Sequence, residues 1–146
     1  MVNFLLDTNV LSDVWRSDAT PEVRETISRY LADQLFVSVA SIGEIQKGLE
    51  LLLEGRRKRQ LTIWSRELQT LFAPRILPID LDTAIIWGDI TARTKRDGHN
   101  LGVMDVLIAA TAVRHDLVVM TRNVKDFQPT GVPILNPWTV DLLPDS

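Results

Sequence analysis

Leu5-Leu6-Asp7-Thr8-Asn9 is an apolar run that ends in an acid and turns at once to residues that cap helices. A buried strand that delivers a carboxylate to the rim of a sheet reads this way, and the rims of parallel sheets are where α/β proteins place their reactive groups. Outward from this stretch the chain alternates. Val2 to Asp7 is predicted as a first strand, followed by a short helical turn from Val10 to Arg16. Thr20-Pro21 opens a further helix, since Thr caps well and Pro is tolerated in a first turn. Leu35 to Ala40 is the second predicted strand. From Ser41 the period becomes helical: Ile42, Ile45, Leu49 and Leu52 share a face. After Gly55 the theme continues with Leu61, Trp64, Leu68 and Leu71, which predicts a helical hairpin or bent pair.

Arg75 to Ile79 is short and apolar, and Pro78 places it near a sheet edge. Asp82 is expected to cap a helix that Gly98 ends. Another helix starts near Asp105, and its run from Val106 to Val113 is apolar almost all round, hence buried. Leu117 to Thr121 reads as a central strand and Val132 to Leu135 as a final short one. Strands alternating with helices imply right-handed crossovers. The predicted fold is therefore α/β, a three-layer α/β/α sandwich with a mostly parallel central sheet, formed as one domain over residues 1–146.

Composition narrows the function classes. The chain has 146 residues, 45% hydrophobic and 24% charged, with no cysteine and two histidines. Disulfides, thiolate zinc sites and Cys nucleophiles are excluded. Every apolar run is much shorter than the roughly 20 residues that cross a bilayer, and the first strand begins without a basic and long apolar leader. A cytoplasmic globular protein is expected, with no membrane partner. The net charge of -3 argues against a protein that coats nucleic acid, while leaving room for an enzyme that grips a few phosphates.

Asp7 has company. Glu44 follows the second strand, Asp105 opens a later helix, and Asp126 lies just past Leu117 to Thr121. A helix between parallel strands begins where the preceding strand ends, so acids after strands and in first helical turns all reach one edge. Two carboxylates about 5 Å apart at an effective dielectric near 20 repel by roughly 3 kcal/mol, so several cannot all stay ionised without a countercharge. A hard cation such as Mg²⁺ or Mn²⁺ resolves that conflict, binds phosphate oxygens and acidifies a bound water. Metal-assisted phosphodiester hydrolysis is the default chemistry of such a site.

Each acid also has a plainer account. Glu44 stands three residues after Ser41, the capping-box spacing. Asp105 suits an N-cap, where the helix dipole favours its charge, and Asp126 suits a turn. Asp7 is hardest to explain by solvation or turn chemistry. Thr8 and Asn9 either cap the next helix or hold Asp7 by hydrogen bonds.

Four segments taken together resemble the PIN-domain ribonucleases, in particular the VapC-type toxins of bacterial toxin-antitoxin pairs. They are Leu5 to Ser12, Ser38 to Ile45, Asp105 to Ala112 and Thr121 to Phe127, in the family's order. Leu51 to Lys58, Arg75 to Pro78 and Asn136-Pro137-Trp138 are similar to the FitB-like branch. The resemblance implies an α/β/α sandwich and a Mg²⁺- or Mn²⁺-dependent endoribonuclease. It also implies a homodimer, and a cognate antitoxin whose C-terminal segment covers the acidic site. Asp7, Glu44 and Asp105 match the family's acidic triad of metal ligands. The fourth acid falls in family members either where this chain has Asn123 or three residues later, at Asp126. Asn123 carries no charge, so Asp126 is favoured, with Asn123 left to orient a ligand or the RNA. Thr121 resembles the family's hydroxyl residue near the site.

On this reading Asp7 and Asp105 hold a metal that activates water, Glu44 assists and Asp126 completes the site. In-line attack would leave 5′-phosphate and 3′-hydroxyl ends. His99 and His115 flank helix ends among polar residues and are expected to be solvated. Among the cations, Lys95, Arg96, Arg122 and Lys125 are the expected RNA contacts, ahead of the Arg56-Arg57-Lys58-Arg59 run, which equally suits a solvated connection. Trp15, Trp64 and Trp87 fall in helical patterns that favour core packing or a protein interface. Two rivals differ in class. Asp7-Thr8-Asn9-Val10 faintly resembles the phosphoaspartate loop of haloacid-dehalogenase phosphatases, which needs a second Asp where Asn9 stands. The other is a catalytically inactive PIN-like module that binds RNA or protein.

Overall fold

The computed structural model describes residues 1–14 and 18–139. Trp15, and Arg16 at the expected end of the first helix, lie outside the described residues. Five short strands form one sheet, β1 (Phe4–Leu6), β2 (Leu35–Ser38), β3 (Ile76–Leu77), β4 (Val118–Met120) and β5 (Ile134–Leu135), in the order β3-β2-β1-β4-β5. All four pairings are parallel, with Leu5 opposite Phe36 on one side and Val119 on the other. β1 is the central strand, and β3, the segment that carries Pro78 just beyond it, is an edge as expected.

Side-chain alternation along these strands builds two cores. Phe4, Leu6, Val37 and Met120 face one side, where α1 (Thr8–Val14), α2 (Pro21–Ser28), α3 (Val39–Glu50) and α4 (Arg56–Phe72) supply Val10, Leu11, Val23, Ile45, Leu49, Leu68 and Phe72. Leu5 and Val119 face the other side, covered by α5 (Leu81–Arg96) and α6 (Val103–His115) through Ile90, Val106, Ile108, Ala109 and Ala112. Because successive strand residues point to opposite faces, one apolar run can feed both layers, which is why β1 carries no polar residue. The architecture is the expected α/β/α sandwich.

Several boundaries differ from the sequence reading for identifiable reasons. The second strand stops at Ser38, whose hydroxyl caps α3 by accepting from the Ala40 N–H at 3.0 Å. Asp80 rather than Asp82 caps α5, its carboxylate accepting from the Thr83 N–H and hydroxyl at 2.9 and 2.7 Å. Thr20 precedes Pro21 as expected, yet its hydroxyl donates to Asp13 instead of capping α2. Leu71 is exposed, and Phe72 takes its place in the core. Val113, likewise, leaves the buried face of α6. Gly98 does lie past the end of α5, at φ +87, a left-handed conformation natural to glycine.

Helices α5 and α6 form an antiparallel pair. Arg114, near the end of α6, lies 3.6 and 3.7 Å from the carboxylates of Asp80 and Asp82 at the start of α5. The end of α5 therefore sits beside the start of α6. α5 does not begin at the acidic edge, contrary to the expectation that a helix starts where the preceding strand ends; Asp105 reaches that edge because α6 turns directly into β4 at Leu117 and so starts where β4 finishes.

Candidate active site

Asp7 is held on all sides. The ladder continues one residue past β1, the Asp7 N–H donating to the Met120 carbonyl at 2.9 Å. The residue is 3% exposed, and its carboxylate accepts from the Thr8 N–H at 2.8 Å on Oδ1, and from the Thr121 hydroxyl at 2.8 Å and Asn9 Nδ2 at 3.2 Å on Oδ2. Burial pushes its pKa above the ordinary value, the Thr121 and Thr8 bonds oppose that, and the charges of Glu44 and Asp126 add to the rise. Thr8 and Asn9 thus orient Asp7, and neither is needed as a helix cap, since the helix begins at Thr8 itself.

Glu44 lies in the second turn of α3, not the first, because the helix is capped by Ser38. The Ser41 capping-box account therefore fails: Ser41 is buried, and its hydroxyl has no partner among the described residues. Glu44 Oε1 instead accepts from the Thr8 hydroxyl at 2.8 Å, so Thr8 touches two of the four acids. Asp105 is the third residue of α6, behind Gly102 at the cap position, and so is not an N-cap. Burial and the charges of Asp7, Asp126 and Glu44 push its pKa up to about 6. Asp126 is exposed on the short α7 (Val124–Phe127). Asn123 precedes that turn, its backbone N–H donating to Thr121 Oγ1 at 3.0 Å.

Asp7 and Asp105 lie within electrostatic reach of each other and of both Glu44 and Asp126, at the edge where β1 and β4 end. They are not closed around a point: among the described residues no three acidic or imidazole side chains form a ready ligand set for an ion. All the donors are hard carboxylate oxygens, and the negative charge that adds to burial in raising Asp105 is what a divalent cation relieves. An open set suits Mg²⁺, which keeps several waters and shares its shell between one or two carboxylates and substrate phosphates.

The PIN domain profile matches residues 4–130. The chain belongs to the PIN-domain family. It is 35% identical over 138 residues to a VapC ribonuclease, Y4jK, of Sinorhizobium fredii, spanning 92% of this chain and 96% of that protein. It is also 35% identical over 135 residues to the toxin FitB of Neisseria gonorrhoeae, spanning 92% of this chain and 97% of that one. The crystal structure of FitAcB from Neisseria gonorrhoeae superposes with a TM-score of 0.85 at 34% identity, over 92% of this chain and 98% of that one.

Around the acids of this PIN domain the cations are unequally placed. Lys95 and Arg96 are exposed at the end of α5, beside the start of α6, and Lys125 is exposed next to Asp126. Arg122 is exposed directly after Thr121, and its guanidinium lies over the Trp138 ring, 5.2 Å from the centroid. Within the Arg56 to Arg59 run, Lys58 is paired with Glu54 at 2.8 Å, while Arg57 lines a groove of about 630 Å³ between α1, α3 and α4. Glu44 and Thr8 share that groove with Gln60, Leu61 and Trp64. Composition alone does not single out Arg57 within the run as the residue that faces this groove. Its spacing to Gln60, Leu61 and Trp64, three, four and seven residues on, was the available signal.

Trp64 and Trp87 pack against the two cores as expected. His99 is exposed, but His115 is half-buried, and its Nε2 has no partner among the described residues. It lies at the end of α6 away from Asp105, which keeps it out of the acidic site. On the α3–α4 hairpin Leu51, Leu53, Ile63 and Leu71 are exposed. No helix among the described residues is long and apolar enough to cross a membrane.

Proposed function

We propose that this PIN domain is the endoribonuclease toxin of a toxin–antitoxin pair, that it depends on Mg²⁺ or Mn²⁺, and that Asp7, Asp105, Glu44 and Asp126 are the residues that hold the ion. The observation that carries the proposal is the buried, fully oriented carboxylate of Asp7 in the field of three further acids, one of them raised to about 6. A fold held together for stability alone would gain by placing neutral groups there. The resemblance to a VapC ribonuclease and to the FitB toxin supplies the reaction class.

The bound ion supplies charge neutralisation and a water of lowered pKa. The chain's own residues do the rest. Thr121, Thr8 and Asn9 fix both oxygens of Asp7. Thr8 also fixes Oε1 of Glu44, which leaves the second oxygen to orient the attacking water or take its proton. Attack at phosphorus with departure of O3′ leaves a 5′-phosphate and a 3′-hydroxyl. Lys95, Arg96, Arg122 and Lys125 supply positive charge to the RNA at an otherwise acidic edge. A cognate antitoxin covers this edge, the exposed apolar residues of the α3–α4 hairpin mark a surface for self-association into a homodimer, and the protein acts in the cytoplasm, where its RNA substrate is.

The test is titration of Mn²⁺ or Mg²⁺ into the purified chain and its Asp7→Asn form, with cleavage of a total RNA pool by each. Metal binding and discrete products from the wild type alone support the reading. Folded, antitoxin-free protein that neither binds metal nor cuts RNA favours a catalytically inactive binding module instead. A concentration-independent monomer in sedimentation removes the dimer from the proposal.

A further inference from the structure

Of the cations expected to face RNA, Arg122 is the one whose geometry the fold sets. Its guanidinium rests on the indole of Trp138, 5.2 Å from the ring centroid, within the range of a cation–π contact. Its backbone N–H donates to Asn9 Oδ1 at 3.4 Å, and the residue before it, Thr121, donates to Asp7. Trp138 is anchored in turn: its backbone N–H donates to Asn136 Oδ1 at 2.9 Å, and its side chain packs against the core that holds Phe4, Leu6 and Met120. The Asn136-Pro137-Trp138 motif, unexplained by the acids, therefore ends against Arg122, one residue past the Thr121 that holds Asp7.

Several other cations are committed. Arg29, Lys58 and Arg114 pair with carboxylates, while Arg75 and Arg93 donate to backbone carbonyls. Among the described residues no carboxylate pairs with Arg122, and its side chain is exposed. The guanidinium lies over a flat aromatic ring in a residue that is otherwise exposed to solvent. Unpaired RNA bases stack on such planes, and the positive charge adds to the attraction. A base inside a duplex has both faces occupied and cannot enter this stack.

We propose that Arg122, laid on Trp138, forms a shelf on which one unpaired nucleobase of the RNA stacks beside the scissile phosphodiester, in the order indole, guanidinium, base. The proposal deepens the endoribonuclease reading and rests on it. Arg122 contacts the substrate, and Trp138 is a positioning residue that acts through Arg122.

The experiment titrates a labelled single-stranded RNA into the Asp7→Asn protein by fluorescence anisotropy, and repeats it with oligonucleotides in which one abasic nucleotide is moved along the strand. Removing the stacked base lowers affinity about ten-fold at one position. Arg122→Lys keeps the charge without the plane, so it loses a similar factor on intact RNA and no longer responds to the abasic position. Trp138→Phe retains the parent's behaviour, whereas Trp138→Leu, which keeps apolar packing without an aromatic face, behaves like Arg122→Lys. In the background with Asp7 intact, the same variants raise KM for single-stranded RNA by a similar factor and leave kcat unchanged. Melting temperatures show that each variant is folded. Arg122→Lys binding and cleaving like its parent, or no abasic position having an effect, overturns the shelf while the nuclease reading stands. Absence of both RNA binding by the Asp7→Asn protein and RNA cleavage by the wild type refutes the nuclease reading, and the shelf falls with it.

Discussion

Replacing Asp105 by Asn is expected to stabilise the metal-free protein while abolishing its activity. Burial first, then the charges of Asp7, Asp126 and Glu44, lift the Asp105 pKa from the ordinary 3.8 to about 6. Between those values the folded chain holds this proton more tightly than the unfolded chain. The associated stability is fully present below pH about 4 and is lost as pH rises through about 6. At about 1.36 kcal/mol per pH unit the gap corresponds to at most about 3 kcal/mol, and to about 1–2 kcal/mol once solvent screening of a half-buried carboxylate is allowed for. In a domain of this size that is roughly 3–6 °C in melting temperature. The assay is thermal unfolding in chelator from pH 4 to 8. The wild type should lose stability as pH rises, and Asp105→Asn should give a flatter profile and melt higher at pH 7.5. Mn²⁺ should then raise the wild-type midpoint and move the variant much less, because the ion and the substitution relieve the same repulsion. Matching pH profiles, or a variant less stable than the wild type at pH 7.5 in chelator, would refute the electrostatic argument.

Thr121→Val removes the bond to Asp7 Oδ2 and the acceptor of the Asn123 N–H at a fully buried position, at a cost of about 1–3 kcal/mol. It should also weaken Mn²⁺ binding about 10- to 100-fold; an unchanged calorimetric titration would show that Asp7 does not need this partner. Asp80→Ala should behave oppositely to Asp105→Asn in pH. The Thr83 N–H and hydroxyl, helped by Arg114, hold the Asp80 carboxyl below its ordinary range, so its contribution is present above pH about 3.8 and is lost as pH falls through the lower folded value. The variant should melt lower than wild type at pH 7, the difference closing in acid, with RNA cleavage unaffected because Asp80 caps the start of α5, remote from the acids. Asp126→Asn should weaken Mn²⁺ binding while Asn123→Ala leaves it close to wild type, measured by the same titration; the reverse order would assign the fourth position to Asn123.

Local pattern was enough for much of this molecule. Leu5-Leu6-Asp7-Thr8-Asn9 placed an acid at a strand end because a buried parallel strand tolerates only apolar residues until it reaches the rim. The alternation of strands and helices determined the layered architecture, since parallel neighbours require covered crossovers. What failed were features with several local candidates. Ser38 and Ser41 are both acceptable helix caps, as are Asp80 and Asp82. The choice depends on where the sheet ends and what the other residue must pack against, so Glu44 was freed from a capping role only by the position of Ser38. Leu71 and Phe72 compete for one core position, and helix rotation against the sheet decided for Phe72.

The sequence by itself determined which residues are acidic at strand ends, which helices are amphipathic and that no thiol or long apolar segment takes part, because these depend on residue type and short-range period alone. Only the tertiary structure decided that Thr8 bridges Asp7 and Glu44, that Asp105 arrives on the second helix of an antiparallel pair, and that Arg122 lies on Trp138. Those contacts join residues distant in the chain, and their geometry follows from the packing of helices on a twisted sheet, which no local spacing encodes.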